Sequence, residues 1–147
     1  IAASLLVIVD LADWELPDVI TLSLYPVLAI TLGAAAWQQG DLRRLGHAGI
    51  GAVAMFLLYF VLARFARDLG FGDVKLAGVI GGFLGWFGLA QWTLGFVAAW
   101  VLMAAISLLL LATKTISRQD SLPFGPWMIL GAVVGALLGP LALPTLA

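Results

Sequence analysis

The chain has 147 residues, of which 63% are hydrophobic and only 10% are charged, and its mean hydropathy is +1.13. A soluble domain of this size exposes much of its surface, so this composition predicts an integral membrane protein. The absence of cysteine excludes disulfides, thiolate metal sites and a cysteine nucleophile, and the single histidine excludes a histidine-rich metal site. The net charge of −1, without a basic stripe, argues against a nucleic-acid partner.

Charge-free segments divide the chain into about six predicted transmembrane helices. The first, Ile1–Val9, spans only about half of a bilayer core, so we interpret it as the end of a truncated longer helix. The next two and the last are expected at residues 19–40, 48–63 and 122–143. As one helix, residues 76–113 would be roughly 57 Å long, so this segment should fold back near Gln91 and Trp92. We therefore expect an all-α, polytopic fold, with residues 1–147 forming a single transmembrane domain.

Basic residues indicate how these helices are oriented. With six spans, the loops at residues 10–18, 64–75 and 114–121 share one side of the membrane. That side carries five basic residues: Arg64, Arg67, Lys75, Lys114 and Arg118. The other side carries only Arg43 and Arg44, in a predicted polar loop that also contains His47. The positive-inside rule then places the first side in the cytoplasm.

Two glycine series predict close helix packing. They comprise Gly78, Gly81, Gly82, Gly85 and Gly88 in one segment, and Gly131, Gly135 and Gly139 in another. Small residues at helical spacing let helix backbones approach one another in lipid.

Two aspartates stand where charge-free segments end or begin on the predicted cytoplasmic side. Asp10 directly follows the first apolar run, and Asp73 directly precedes the fourth. Packing of these two helices would bring the carboxylates together, and two carboxylates that share a proton can activate water for attack on an amide. Taken singly, each is an ordinary helix-end residue, and Asp73 is equally typical of a first-turn acid stabilised by the helix dipole.

The surrounding residues resemble a known family. Residues Gly70–Asp73 read GFGD and fit the GxGD signature of membrane aspartyl proteases. Residues 72–76 (GDVKL) resemble the version found in type IV prepilin peptidases. Asp10, followed by LPD at residues 16–18, is similar to that family's first aspartate block, and residues 122–126 (LPFGP) resemble the start of its last helix.

This resemblance implies that Asp10 and Asp73 are the catalytic aspartates of an endopeptidase. The implied activity removes the basic leader from type IV prepilins or pseudopilins, which continue into a hydrophobic helix. The implied location is the cytoplasmic face of the bacterial inner membrane, and no cofactor or metal is expected. Full-length members often carry a methyltransferase region with paired cysteines, so the resemblance covers the peptidase part alone.

Four further residues are candidates for supporting or substrate-binding roles. Gly70 and Gly72 either leave backbone groups bare for an extended substrate or allow a tight turn. Lys75 either acts electrostatically on Asp73 or extends to the membrane surface. Asp18 either supports the catalytic site or caps the second helix.

Other functions remain possible from the sequence alone. An archaeal preflagellin-type peptidase would share the GxGD chemistry. A small proton-coupled transporter would place acids or broken helices near the membrane midplane, where this chain carries no charge. A non-catalytic membrane scaffold would tolerate the loss of Asp10 or Asp73.

Overall fold

The computed structural model describes residues 18–66, 69–114 and 123–146. The described residues form five α-helices and no strand: α1 (Asp18–Gln39), α2 (Leu42–Phe65), α3 (Phe71–Phe87), α4 (Leu89–Ala112) and α5 (Gly125–Ala142). The expectation of an all-α chain is confirmed for these residues. Helices α2, α4 and α5 are long and apolar enough to cross a membrane. The predicted first helix lies outside the described residues, so the count of six remains a prediction.

Two glycines make the sharp turns between helices. Gly40, between α1 and α2, has φ +66°, and Gly88, between α3 and α4, has φ +137°. Residues with a side chain rarely adopt such angles, so glycine is favoured at both positions. The predicted fold-back of residues 76–113 into two helices is confirmed, and the turn lies at Gly88, three residues before Gln91. Gln91 and Trp92 instead belong to the first turn of α4.

The polar segment after Gly40 is also helical, and the predicted loop here was wrong. Helix α2 begins at Leu42, so Arg43, Arg44 and His47 lie in its first two turns. The turn between α1 and α2 takes only Gly40 and Asp41. Asp41 is the N-cap of α2, and its carboxylate lies 3.1 Å from Arg44 Nε. The polar side chains therefore extend from a helix rather than from a loop.

The helices pack as two antiparallel pairs, α2 with α3 and α4 with α5. A Cβ atom added to Gly81 would collide with the Gly51 carbonyl, and one added to Gly85 would lie 2.7 Å from the His47 carbonyl. In the second pair, a Cβ added to Gly135 would lie 2.5 Å from the Gln91 carbonyl. The predicted close packing is confirmed at both glycine series except at Gly88, which lies in the turn between α3 and α4.

The antiparallel pairing gives the described structure two ends. The Asp73 end contains the C-terminus of α2 and the N-termini of α3 and α5, and the distal end contains Gly40 and Gly88. The helix surface between the two ends carries many exposed apolar side chains, among them Ile30, Leu57 and Leu137. Such a surface is suited to contact with lipid tails.

Candidate active site

The site is built on the first turn of α3, where the GFGD segment lies. Gly70 is the N-cap, with φ −74° and ψ 157°, so Asp73 is the third residue of the helix. Asp73 Oδ2 accepts a hydrogen bond from the Gly70 N–H at 3.1 Å, and the Asp73 N–H donates to the Gly70 carbonyl at 3.1 Å. The carboxylate thus satisfies one of the backbone N–H groups that a helix start leaves without an intrahelical partner.

Burial distinguishes Asp73 from an ordinary capping acid. Its side chain is only 7% exposed. An ionised carboxylate is costly to bury unless it is hydrogen-bonded or near positive charge or dipoles. The N-terminus of α3 supplies both the N–H donor and the positive end of the helix dipole.

An aromatic cluster packs beside this carboxylate. Tyr59 of α2 is 1% exposed and lies within electrostatic range of Asp73. Its ring centroid lies 5.9 Å from that of Phe124 and 6.2 Å from that of Trp100. Phe124, at the start of α5, belongs to the LPFGP block and is 5% exposed. The structure therefore brings the described part of this block together with the GxGD segment.

The indole N–H of Trp100 is buried within this cluster, beside Tyr59. The cluster packs against Val74 and Ala77 of α3, which follow Asp73 directly and by one turn.

Lys75 reaches back toward the start of its helix, over an aromatic ring. Its Nζ lies 5.2 Å from the centroid of the Phe71 ring, a distance typical of a cation–π contact. Its backbone carbonyl accepts a hydrogen bond from the Tyr25 hydroxyl of α1 at 2.7 Å. Neither contact tests whether Lys75 acts on Asp73, so that role remains a prediction.

Asp18 is the first residue of α1. Tyr25, two turns further along, contacts α3 at Lys75, so the N-terminus of α1 lies at the Asp73 end. Thr21, between these two positions, is completely buried. Asp10 lies outside the described residues, and its distance from Asp73 therefore remains a prediction.

The glycines of the GxGD segment are not explained by backbone strain. Gly70 has a negative φ that any residue can adopt, and a Cβ added to it would make only ordinary contacts, the nearest at 3.7 Å. Gly72 lies inside α3. The geometry of Gly70 therefore does not support a tight turn as the reason for glycine there. Across the described ranges, no three His, Cys, Asp or Glu side chains are grouped so that they could hold a metal ion.

Comparison with known proteins identifies the family. Residues 1–113 match the type IV leader peptidase family. The chain belongs to this family. The expected resemblance is thereby confirmed, and so is the expectation of a chain from a peptidase family.

Curated relatives are named prepilin leader peptidase/N-methyltransferase. The relative from Pectobacterium carotovorum is 33% identical over 144 residues, covering 90% of this chain and 47% of the relative. The relative from Burkholderia pseudomallei is 34% identical over 137 residues, covering 89% and 42%. The relative from Legionella pneumophila is 30% identical over 135 residues, covering 91% and 46%. The chain thus spans about half the length of these relatives, and no solved structure matches it.

The sequence interpretation missed two tyrosines of this family member. Tyr25 and Tyr59 are the only tyrosines of the chain, and both lie within predicted apolar spans. A hydroxyl within such a span needs a hydrogen-bond partner or a functional reason, so their position was an available signal. Tyr25 links α1 to α3, and Tyr59 lies within electrostatic range of Asp73.

Proposed function

We propose that this chain is a membrane aspartyl endopeptidase that removes the leader peptide of type IV prepilins or pseudopilins, with Asp10 and Asp73 as its catalytic residues. The observation that carries the proposal is the buried carboxylate of Asp73 at the start of α3. Ionisable groups in or at the edge of membrane helices are costly, and they commonly mark functional sites. Membership in the leader peptidase family supplies the reaction class.

In this mechanism the predicted first helix of the chain, which ends at Asp10, packs against α3 and brings the carboxylates of Asp10 and Asp73 into contact. Mutual repulsion keeps one of them protonated, and the pair then activates a water molecule. The N–H groups at the start of α3 favour Asp73 as the ionised member, which polarises the water. Asp10, at the end of its helix, then donates a proton to the oxyanion that forms from the peptide carbonyl.

The substrate features follow from charge and exposed backbone. A prepilin leader is basic, and residues 10–18, which end at the first residue of α1, carry four acids that attract it: Asp10, Asp13, Glu15 and Asp18. Gly70 is exposed and its conformation does not require glycine, which favours the interpretation that the missing side chain lets an extended substrate segment approach the backbone there. The hydrophobic helix of the substrate would remain in the bilayer beside the apolar helices.

The proposal includes a location and an orientation in the membrane. The five-to-two distribution of basic residues supports an orientation with the Asp73 end in the cytoplasm. The bacterial relatives support the inner membrane as the location. A cytoplasmic site meets the leader before the mature part of the prepilin is assembled outside. The family match gives no support to the transporter or scaffold alternatives.

The test is cleavage of a purified prepilin in detergent, with mass spectrometry of the N-terminus of the product. The wild-type chain should release the leader at one bond. Asp10→Asn and Asp73→Asn should each abolish nearly all turnover, and the double variant should be little worse, because the two groups act as a unit. Wild-type rates in either single variant would refute the assignment of that residue.

Asp41→Asn provides a matched control. Asp41 is also an acid at a helix N-terminus, but it lies at the distal end and is paired with Arg44. This variant should cleave the prepilin at the wild-type rate. A comparable loss in Asp41→Asn would show that removing any helix-end charge inactivates the chain, and would remove the argument for Asp73.

A further inference from the structure

The distal end contains a cavity that the proposed peptidase mechanism does not use. It has a volume of about 320 Å³ and lies where α2, the end of α3 and the start of α4 meet. His47, Ile50 and Ala54 line it from α2, and Trp92 lines it from α4. This volume falls at the lower end of the range for small-molecule sites.

Two glycines of α3 and its turn create the space. Gly85 is pressed against the α2 backbone, and Gly88 needs a positive φ, so neither position can carry a side chain that would fill the cavity. The Trp92 indole forms a fixed wall, because its N–H donates to the Gly51 carbonyl at 3.1 Å. With this donor satisfied, His47 is the main polar side chain in a lining that is otherwise apolar.

The lining follows one face of α2 from the end of the helix toward its middle. His47 and Ala54 are seven residues, or about 10 Å, apart along the helix axis. Arg43 lies one turn before His47 on the same face, because residues four apart are neighbours on a helix surface. A polar, basic mouth therefore leads into an apolar interior.

The mouth carries an unbalanced positive charge. Arg44 is paired with Asp41, whereas Arg43 is exposed and forms no ion pair with any residue in the described ranges. The turn at Gly88 and residues 143–146 at the distal end carry no charge. A ligand with an apolar chain and an anionic head matches this arrangement, because the chain fits the apolar interior and the head fits the basic mouth.

We propose that this cavity is a binding site for an anionic phospholipid. One acyl chain enters between Ala54 and Trp92, and the phosphate of the headgroup lies at His47 and Arg43. The site lies at the end of the domain opposite Asp73, and the proposal does not depend on peptidase activity. The bilayer that surrounds α2 and α4 supplies the ligand directly.

The test uses quenching of Trp92 fluorescence by lipids brominated in the acyl chain. The full chain is reconstituted into phosphatidylcholine vesicles that contain the same small fraction of either brominated phosphatidylglycerol or brominated phosphatidylcholine. Trp92→Phe identifies the part of the signal that comes from this residue among the six tryptophans. The brominated anionic lipid should quench that part with about fivefold higher apparent affinity, as expected for one basic residue at the membrane surface.

Two pairs of variants separate charge from space. Arg43→Gln should remove most of the preference for the anionic lipid, whereas Arg64→Gln, at the Asp73 end of the same helix, should leave it unchanged. Ala54→Phe should fill the cavity and reduce quenching by both lipids. Val53→Phe is the control for added bulk, because Val53 is exposed and does not line the cavity.

Equal quenching of Trp92 by the two brominated lipids in the wild-type chain would overturn the proposal. A preference that survives Arg43→Gln combined with His47→Gln would also overturn it, because the headgroup would then be bound elsewhere. Far-UV circular dichroism checks the helix content of each variant. If a variant does not fold, the wild-type comparison of the two lipids still decides the question.

Discussion

Replacing Asp73 by asparagine is expected to abolish leader cleavage while lowering the stability of the domain only slightly. The structure gives Asp73 two roles that this variant separates. Its Oδ2 atom caps the N-terminus of α3 by accepting the Gly70 N–H, and its carboxylate is the proposed catalytic group. Asparagine keeps a carbonyl oxygen in the same position but cannot carry the negative charge or exchange a proton.

The size of the structural effect follows from these contacts. Asp73→Asn can keep the cap hydrogen bond, so it loses mainly the interaction of the negative charge with the helix N-terminus. This loss should lower the free energy of unfolding by about 0.3–1 kcal/mol. Asp73→Ala removes the hydrogen bond as well, and capping substitutions of this kind cost about 0.5–2 kcal/mol. Both values are small beside a typical domain stability of about 5–15 kcal/mol. Both variants should therefore remain folded.

The assay measures stability and cleavage on the same preparations. Unfolding is followed by circular dichroism as SDS is titrated into detergent micelles, and cleavage is followed by mass spectrometry of a prepilin. We expect the stability to decrease in the order wild type, Asp73→Asn, Asp73→Ala, with no detectable cleavage in either variant. Asp41→Asn is carried through both measurements as the folded and active control.

Two results would refute this reasoning. If Asp73→Asn lost several kcal/mol of stability, the inactivity of the variant would be explained by unfolding and the capping estimate would be wrong. If Asp73→Asn cleaved the prepilin while Asp73→Ala did not, the hydrogen bond to Gly70 rather than the acid would be the required feature. In that case Asp73 would be a structural residue.

Three further predictions concern packing, topology and the α1–α3 contact. Gly135→Ala should destabilise the domain by about 1–3 kcal/mol, because the added Cβ overlaps the α4 backbone, whereas Gly33→Ala, in open space, should be neutral or slightly stabilising in the same SDS titration. Gln39→Cys should react with a membrane-impermeant maleimide from outside the cell and Arg64→Cys from the cytoplasm; the reverse pattern would refute the proposed orientation. Tyr25→Phe should cost about 0.6 kcal/mol, because it removes the hydrogen bond to the Lys75 carbonyl; a loss of several kcal/mol would show that more than this bond holds α1.

Most of the helical architecture could be predicted from the sequence because charge is so rare in this chain. The expected span 19–40 became Asp18–Gln39, and the expected last span 122–143 became Gly125–Ala142. The predicted helix boundaries were wrong where the charge pattern does not indicate the position of a turn. Arg43 to His47 are polar yet helical, since Gly40 had already made the turn, and the fold-back at Gly88 depends on a backbone angle that hydropathy does not reveal.

The candidate site was predictable in part, and for a different reason. A GxGD segment before an apolar run predicts an acid at the start of a helix, and Asp73 lies there. The position of Tyr59 within electrostatic range of Asp73 was not predictable, because it depends on how α2 and α3 pack, and Gly51 and Gly81, which meet in that contact, are 30 residues apart in sequence. The pairing with Asp10 remains a prediction, since Asp10 lies outside the described residues.

The glycine contact between α2 and α3 links the stability of this domain to the position of its acid. In lipid, no hydrophobic drive holds helices together, so their relative position depends on close backbone contact. Gly81, at the Gly51 carbonyl, lies eight residues from Asp73, or about 12 Å along α3. A side chain at Gly81 that pushed α3 away from α2 would therefore also move the Asp73 carboxylate relative to Tyr59. Gly135 lies in the α4–α5 contact, which carries neither of these residues, so the two glycine contacts should differ in how strongly they affect cleavage relative to stability.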